Sequence, residues 1–400
     1  MNLLKQTSCF NKNVIYWKLL GIYPLKVEWK FYNWYSKIFV SIFVLLFDGL
    51  HTINFYFMKR NLDNFIEEMI FYFTELSVMS KALTFMLMRE RIKTILEILD
   101  SETFQPKSEV EMQLITNAKN FNVKYWKIVA VVSYCSYIFH IVYPFIVHFL
   151  LQVPLILPVC SYSFLPERFT ETFLYPLYIY QALGIHMNML YNINIDTFFL
   201  GLMILIIAQL KILEKKLMTV TDICKKHKYN NILYPKNGQS SEKNMINQLN
   251  KLIIHYDEVT KFCALVERVF SVTLFVQFSV SSCIICVCLF RFTLPAPVHY
   301  YIFLATYMFV MMIQIMVPSL FGTQMITKSC LLSQAIYGCD WTGRSRRFKS
   351  SLKLFVERAN RPLSITGWKM FPLSLNTFTY IINSAYSFFT VLRYMQTKET

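Results

Sequence analysis

Long apolar runs, separated by loops rich in charge, dominate the pattern of hydrophobic and polar positions along this chain. A helix needs about 20 apolar residues to cross the roughly 30 Å of hydrocarbon in a bilayer. Seven runs reach that length, at about 37–58, 65–88, 127–150, 172–210, 265–290, 298–325 and 371–393. The pattern therefore predicts an all-α membrane protein with seven transmembrane helices.

Composition and charge add an orientation to this prediction. Of the residues, 55% are hydrophobic and 17% aromatic, far from the usage of a soluble domain. Most of the 40 lysines and arginines lie in the N-terminal arm and in the loops after the second, fourth and sixth runs. By the positive-inside rule these regions face the cytoplasm, so we expect a cytoplasmic N-terminus and an extracellular C-terminus. The net charge of +16 is then a feature of topology and needs no nucleic-acid partner.

Ionisable residues inside the predicted spans are unusual. The first span contains Asp48 and His51, and the second contains Glu75 and Lys81. An ionisable group within the membrane is a hypothesis of function by default. A buried polar contact between helices explains such residues equally well, and the sequence leaves both interpretations open.

The last fifty residues combine two amphipathic patterns. Between 348 and 360, apolar Leu352, Phe355, Val356 and Ala359 fall at helical spacing beside lysines and arginines. Proline at 362 ends this segment, which we expect to be a cytoplasmic anchor helix. The following apolar run, 370–395, contains many Ser, Thr and Asn residues, which in a bilayer face other helices or water. A spanning helix with such a polar stripe is typical of a channel lining.

One stretch of this C-terminal region is similar to a known family. The motif residues are Phe355, the ERANRP run 357–362, Ile365 to Gly367, Phe371, Leu373 to Leu375, Phe378 and Ser384 to Arg393. Their order and spacing resemble the insect odorant receptors. The related gustatory receptors carry TY-x5-QF here, whereas this chain has Thr379-Tyr380 followed by Tyr386-Ser387.

The resemblance implies an odorant-gated, non-selective cation channel in the plasma membrane of an olfactory sensory neuron. In the family four subunits surround a pore lined by the seventh helices. The loop between the fourth and fifth spans is not enlarged as it is in the family's co-receptor, which indicates an odour-tuning subunit that assembles with that co-receptor. Residues 1–330 would then hold the ligand-binding helices, and residues 331–400 the anchor and pore helix.

Helix faces rich in aromatic residues are candidates for the odorant pocket, because small-molecule sites are mostly apolar with a few placed polar groups. The resemblance places such a site among spans two to six. The candidate odorant-binding residues are Phe71, Tyr72, Tyr134, Tyr137, Ile141, Gln181, Ile185, Asn188, Phe303, Thr306 and Tyr307. The alternative is that these faces only pack helices against one another.

The resemblance also assigns candidate pore residues. Val391 and Met395 lie four apart, on one helix face, where apolar side chains could close a gate by dewetting. Asn383, Ser387 and Tyr394 lie on the same or adjacent faces and could solvate a passing cation. Packing alone is again the alternative for Val391 and Met395.

Motifs of catalysis and of metal or cofactor binding are missing from the sequence. The chain has no phosphate-cradling glycine loop, no GxSxG and no HExxH. We therefore expect no enzyme, no metal and no cofactor.

Three rival functions remain: a gustatory-type channel, a G-protein-coupled receptor and a secondary transporter. The gustatory-type channel is disfavoured because its motif is not present. A G-protein-coupled receptor has the opposite orientation in the membrane. A secondary transporter should show two related halves, and this sequence shows none.

Overall fold

The computed structural model of the chain describes residues 4–24, 30–58, 62–233, 238–295, 298–337, 341 and 344–399. Side chains at Phe303 and between 219 and 242, among a few others, lie outside the described part. The described residues form an all-α bundle with one very short antiparallel strand pair.

The helices have the following bounds. They are α1 (Asn11–Leu19), α2 (Tyr32–Val40), α3 (Phe47–Phe57), α4 (Leu62–Leu87), α5 (Arg89–Leu99), α6 (Glu109–Tyr137), α7 (Tyr143–Leu151), α8 (Glu167–Thr172), α9 (Leu174–Leu233), α10 (Gly238–Arg291), α11 (Val298–Tyr337), α12 (Arg346–Ala359) and α13 (Leu375–Glu399). Short π segments join α2 to α3 (Ser41–Leu46) and α6 to α7 (Ile138–Val142). The strands are β1 (Thr366–Gly367) and β2 (Phe371–Pro372).

Each of the seven predicted runs is mostly helical, although the first and third include a π segment, the fourth begins at the end of α8 and the seventh begins in β2. Among the described residues, six helical stretches are long and apolar enough to cross a membrane: Tyr32–Phe57, Glu68–Leu87, Glu109–Leu151, Leu174–Met218, Lys243–Arg291 and Leu304–Tyr337. The seventh run corresponds to α13, whose Ser, Thr and Asn residues lower its mean hydropathy. Several helices continue well beyond the apolar run, because charged amphipathic sequence extends the same helix.

Helix α9 forms the centre of the bundle. In the most apolar stretch of α9, 94% of the residues are buried. In the most apolar stretch of the continuous helix Glu109–Leu151, which comprises α6, its π segment and α7, only 11% are buried. Helix α9 packs against α4, α6, α10 and α11. A helix that is hydrophobic all round must be covered all round, and the buried residues from Phe198 to Ala208 have that character.

Contacts between helices account for most of the ionisable residues inside the spans. The Nδ1 atom of His51 lies 2.8 Å from a carboxylate oxygen of Glu75, and joins α3 to α4. The Nζ atom of Lys81 lies 2.6 Å from a carboxylate oxygen of Asp196, and joins α4 to α9. Asp48 is also buried, and neither of its carboxylate oxygens has a hydrogen-bond partner among the described residues.

The predicted anchor is helix α12, which begins at a serine cap where the Ser345 hydroxyl accepts from the Phe348 amide at 3.3 Å. Its buried face consists of Phe348, Leu352, Phe355 and Ala359, at helical spacing. Val356, which the sequence also placed on this face, is only half-buried, because it lies one residue beyond Phe355 and turns about 100° away.

The connector between α12 and α13 is tied to α10. In its β1–β2 hairpin, the Thr366 amide donates a hydrogen bond to the Glu267 carboxylate at 3.2 Å. The Trp368 amide donates one to the Ser271 carbonyl at 3.0 Å. Gly367 allows the close turn, because an added Cβ would lie 2.6 Å from the ring of Phe371. The anchor, the hairpin and α13 therefore reach α10 as one connected segment.

Candidate ligand pocket and pore helix

A cavity of about 190 Å³ lies between α4, α6, α9 and α11. Its lining residues are Phe71, Thr74, Glu75 and Val78 of α4, then Val132, Ser133, Ser136, Tyr137, His140 and Ile141 of α6 and its π segment, then Ile185, Asn188, Met189 and Asn192 of α9, and Thr306, Tyr307 and Val310 of α11. Aromatic and aliphatic walls with a few polar groups are typical of sites for small molecules.

Most of the residues predicted from the sequence line this cavity. They are Phe71, Tyr137, Ile141, Ile185, Asn188, Thr306 and Tyr307. These side chains come from four different helices, and the fold brings them together around one space. The side chain of Phe303 lies outside the described part of the structure.

Three predicted residues lie elsewhere. Tyr72 follows Phe71 on α4, so it turns to the other side, where it receives a hydrogen bond from the Thr52 hydroxyl at 3.1 Å. Tyr134 makes an edge contact with the His186 ring, with centroids 5.7 Å apart, outside the cavity lining. Residues of suitable type thus miss the pocket because the rotation of each helix decides which face points inward.

Gln181 also misses the cavity lining, because it fixes the loop between α7 and α8. Its Oε1 atom accepts from the Val159 amide at 3.0 Å, and its Nε2 atom donates to the Cys160 carbonyl at 2.8 Å. His140, which does line the cavity, donates from Nε2 to the Pro158 carbonyl of the same loop at 3.1 Å. The loop is therefore held by side chains from both neighbouring spans.

Sequence reasoning missed several lining residues that lie one helical turn from predicted ones. Thr74 and Glu75 are three and four positions after Phe71, and Asn192 is four after Asn188. Extending each predicted face by one turn would have found them. The π segment at Ile138–Val142 carries no such signal, although it presents both His140 and Ile141 to the cavity. Such insertions into helices are frequent at functional sites.

A larger cavity of about 600 Å³ lies elsewhere, between the segment that connects α5 to α6 and helices α6, α9 and α10. Its walls carry three lysines and two glutamates, Lys107, Lys216, Lys251, Glu102 and Glu111. Such walls suit a charged, hydrated ligand. The smaller cavity, with its aromatic walls, is the better candidate for an apolar small molecule.

Helix α13 has one packed face and one open face. Leu373, just before it, and Ala385 are buried against α10 and α11, and Phe378 and Phe389 pack partly against the same core. The predicted pore residues Asn383, Ser387, Val391, Tyr394 and Met395 are all exposed in the single chain. Val391 and Met395 keep 55% and 57% of their surface exposed.

The open face of α13 differs from the exposed face of α6. The exposed residues of α6 and its π segment include Val131, Ile138 and Phe139, which suit lipid. On α13 apolar residues alternate with exposed Asn383, Ser384, Ser387 and Thr390. Polar side chains of this kind in a membrane face another helix or water, so a second surface is expected against α13.

These features define a multi-pass membrane protein of the all-α class, with a cavity between its helices and one polar-faced helix open at the side. The solved insect olfactory receptor OR5 from Machilis hrabei in complex with eugenol has a similar fold: the TM-score is 0.81, with 16% identity over 98% of each chain. Odorant receptor 67a of Drosophila melanogaster is 21% identical over 96% of this chain and 94% of its own length. Odorant receptor 67c of the same species is 28% identical, but the match spans only 44% of each chain.

A family model described as 7tm odorant receptor matches residues 61–386. The chain therefore belongs to the insect odorant receptor family, a family of receptors. The resemblance in the C-terminal motif and the seven-helix all-α fold expected from the sequence are both confirmed.

Proposed function

We propose that the chain is an odour-tuning subunit, which binds a small volatile odorant between its helices and gates a non-selective cation channel formed with an olfactory co-receptor. The observation that carries this proposal is the small aromatic cavity within the fold of an odorant receptor. The similar receptor from Machilis hrabei was solved in complex with eugenol, a small molecule. Phe71, Tyr137, Ile141, Ile185, Asn188, Thr306 and Tyr307 would contact the odorant here.

The pore would be formed where the open faces of α13 from four subunits meet. Val391 and Met395 would form the apolar gate, and Asn383, Ser387 and Tyr394 would face the passing cation. The exposed amide of Asn383 supports this arrangement, because lipid offers an amide no hydrogen-bond partner, whereas the Ser387 and Thr390 hydroxyls donate to carbonyls of their own helix. The N-terminus and the anchor α12 would be cytoplasmic and the C-terminus extracellular, in the plasma membrane of an olfactory sensory neuron, as the distribution of lysine and arginine indicates.

Helix α11 offers a route from the pocket to the pore. Thr306 and Tyr307 line the cavity, and farther along the same helix the Thr323 hydroxyl accepts from the Leu375 amide at 2.9 Å, at the start of α13. An added Cβ at Gly322 would overlap the carbonyl oxygen of Leu373, so α11 touches the backbone of the segment that leads into α13. An odorant that fits the cavity better in the open state would shift α11, and with it α13, toward opening.

The test is whole-cell current in cultured cells that express the chain with or without an insect olfactory co-receptor, across a broad panel of volatiles. G-protein signalling is blocked throughout. We expect rapid cation currents that require both subunits. Robust currents from the chain alone would contradict the tuning-subunit assignment. A second-messenger response in unblocked cells without any current would contradict the channel itself.

A further inference from the structure

The side chain of Asn188 lines the cavity without a hydrogen-bond partner. It is 8% exposed, and among the described residues neither its Oδ1 nor its Nδ2 atom is paired. A buried amide carries an acceptor and two donors, and leaving them unpaired is unfavourable. Buried polar groups in proteins are nearly always satisfied, so this exception requires an explanation.

Several other polar groups around the cavity already have partners. The Tyr137 hydroxyl donates to the Ala182 carbonyl at 3.2 Å, and Asn192 accepts from Gln314 at 3.1 Å. Glu75 is bound by His51 at 2.8 Å. Asn188 therefore offers the cavity a free acceptor and free donors within a mostly apolar wall.

The size of the cavity limits what can pair with this amide. Its volume of about 190 Å³ is slightly larger than the roughly 150 Å³ of an engineered apolar cavity that binds benzene. A molecule of about the size of a substituted benzene ring fits, with space for one polar group beside Asn188.

We propose that Asn188 selects odorants that carry a hydroxyl group, an inference that rests on the proposed function above. A hydroxyl both donates and accepts, so an alcohol or phenol can pair with Oδ1 and Nδ2 of Asn188 together. A ketone or aldehyde oxygen can pair only with Nδ2, and a hydrocarbon pairs with neither. Most of the remaining contacts come from aromatic and aliphatic walls, which recognise shape. The Ser133 and Ser136 hydroxyls also line the cavity, but Asn188 is the buried amide whose acceptor and donors are both unpaired among the described residues.

The test uses shape-matched probes on cells that express the chain with the co-receptor. Benzyl alcohol, benzaldehyde and toluene form one series, and 3-octanol, 3-octanone and octane form a second. In the series that fits the cavity, we expect half-maximal currents at the lowest concentration for the alcohol. Each hydrogen bond lost should raise that concentration by up to about tenfold.

Asn188→Leu should remove this preference. Leucine has nearly the same size and leaves no buried polar atom, so the variant should fold, and surface labelling checks that it does. The expected result is a loss of potency for the alcohol of about tenfold or more, with little change for the hydrocarbon. Asn122→Leu is the matched control: Asn122 is another buried asparagine with an unpaired amide among the described residues, but it lies outside the cavity lining. It should keep the preference of the wild type.

Several outcomes would overturn the proposal. Equal potency of alcohol, carbonyl compound and hydrocarbon in the wild type would mean that water already satisfies Asn188. A preference for alcohols that survives Asn188→Leu would assign it to another group. Currents evoked only by volatiles of other classes would exclude hydroxyl selection while leaving the channel function intact, whereas no current with any volatile would reject the proposed function itself.

Discussion

The cavity and the pore helix differ in how far one chain completes them. The cavity is formed by four helices of the same chain, and most polar groups around it are paired within that chain. Helix α13 is packed on one side only, and its candidate pore residues are exposed. The first region is complete within the folded chain, whereas the second would be completed by other subunits in the proposed channel.

This difference has a consequence for mutation. A change inside the cavity region acts first on folding or on ligand recognition, because its residues are in contact with their own chain. A change on the open face of α13 should alter little in the isolated chain and, in the proposed channel, should act only after assembly. Mutations that separate these effects test whether the two regions differ in this way.

The largest effect should come from the ion pair beside the cavity. Asp196→Leu leaves the ammonium group of Lys81, which is 0% exposed, without its carboxylate. An uncompensated charge at such a site destabilises by several kcal/mol. Because Asp196 is 24% exposed, we expect a loss of about 3 kcal/mol, at the lower end of that range. Thermal unfolding of the purified chain and its amount at the cell surface would measure this loss, with or without co-receptor.

The matched control is the double variant Lys81→Met/Asp196→Leu, which removes both charges. It should recover much of the lost stability, since no unpaired charge remains. If the co-receptor alone rescued Asp196→Leu to wild-type levels, the cavity region would not be complete within one chain.

A smaller, purely functional effect is expected on the open face of α13. Val391→Ala and Met395→Ala shorten the proposed gate, so the closed state should seal less well and basal current should rise several-fold. Thermal stability of the isolated chain should not change, because both side chains are exposed. Whole-cell recording without odorant measures the basal current, and dose–response curves give the rank order of odorants, which should stay as in the wild type.

Val131→Ala is the matched control for this prediction. Val131 is 62% exposed on α6 and lies outside the cavity lining, where it suits contact with lipid. The same loss of two methyl groups should leave basal current unchanged there. A changed rank order with normal basal current in Val391→Ala would instead place Val391 in the ligand site.

The sequence predicted the positions of the helices well, because the period of apolar residues is a local property. It also predicted three of the four residues that bury the anchor face of α12. It could not place Tyr134 or Gln181, because an aromatic or amide residue on a long helix meets whichever neighbour its rotation presents. The π segment beside the cavity shifts that rotation locally and has no sequence signal.

Which polar side chains pair with one another was even harder to predict from the sequence. Lys81 and Asp196 are far apart along the chain, and neither position alone indicates the other. Likewise, the unpaired state of Asn188 follows from the side chains around it, and only the folded structure shows them. The pore residues were assigned from the family resemblance. They remain a prediction, because the face of α13 that carries them has no neighbour within one chain.

The smallest effect should come from one hydroxyl within the cavity. Tyr307→Phe removes the contact between the Tyr307 and Thr74 hydroxyls, but Thr74 still donates to the Ile70 carbonyl at 3.2 Å. No group of Thr74 is stranded, so we expect odorant potency to change by less than about fivefold, the effect of one ordinary hydrogen bond.

Tyr301→Phe provides the control for Tyr307→Phe on the same helix, because its hydroxyl donates to the Leu294 carbonyl at 2.7 Å outside the cavity lining. Dose–response curves for both variants should show a shift in potency only for Tyr307→Phe, with basal current normal in each. A rise in basal current in Tyr307→Phe without a shift in potency would show that this wall of the cavity acts on the gate through α11. The pocket, although complete in one chain, would then be coupled to α13, the helix that lines the pore in the proposed channel.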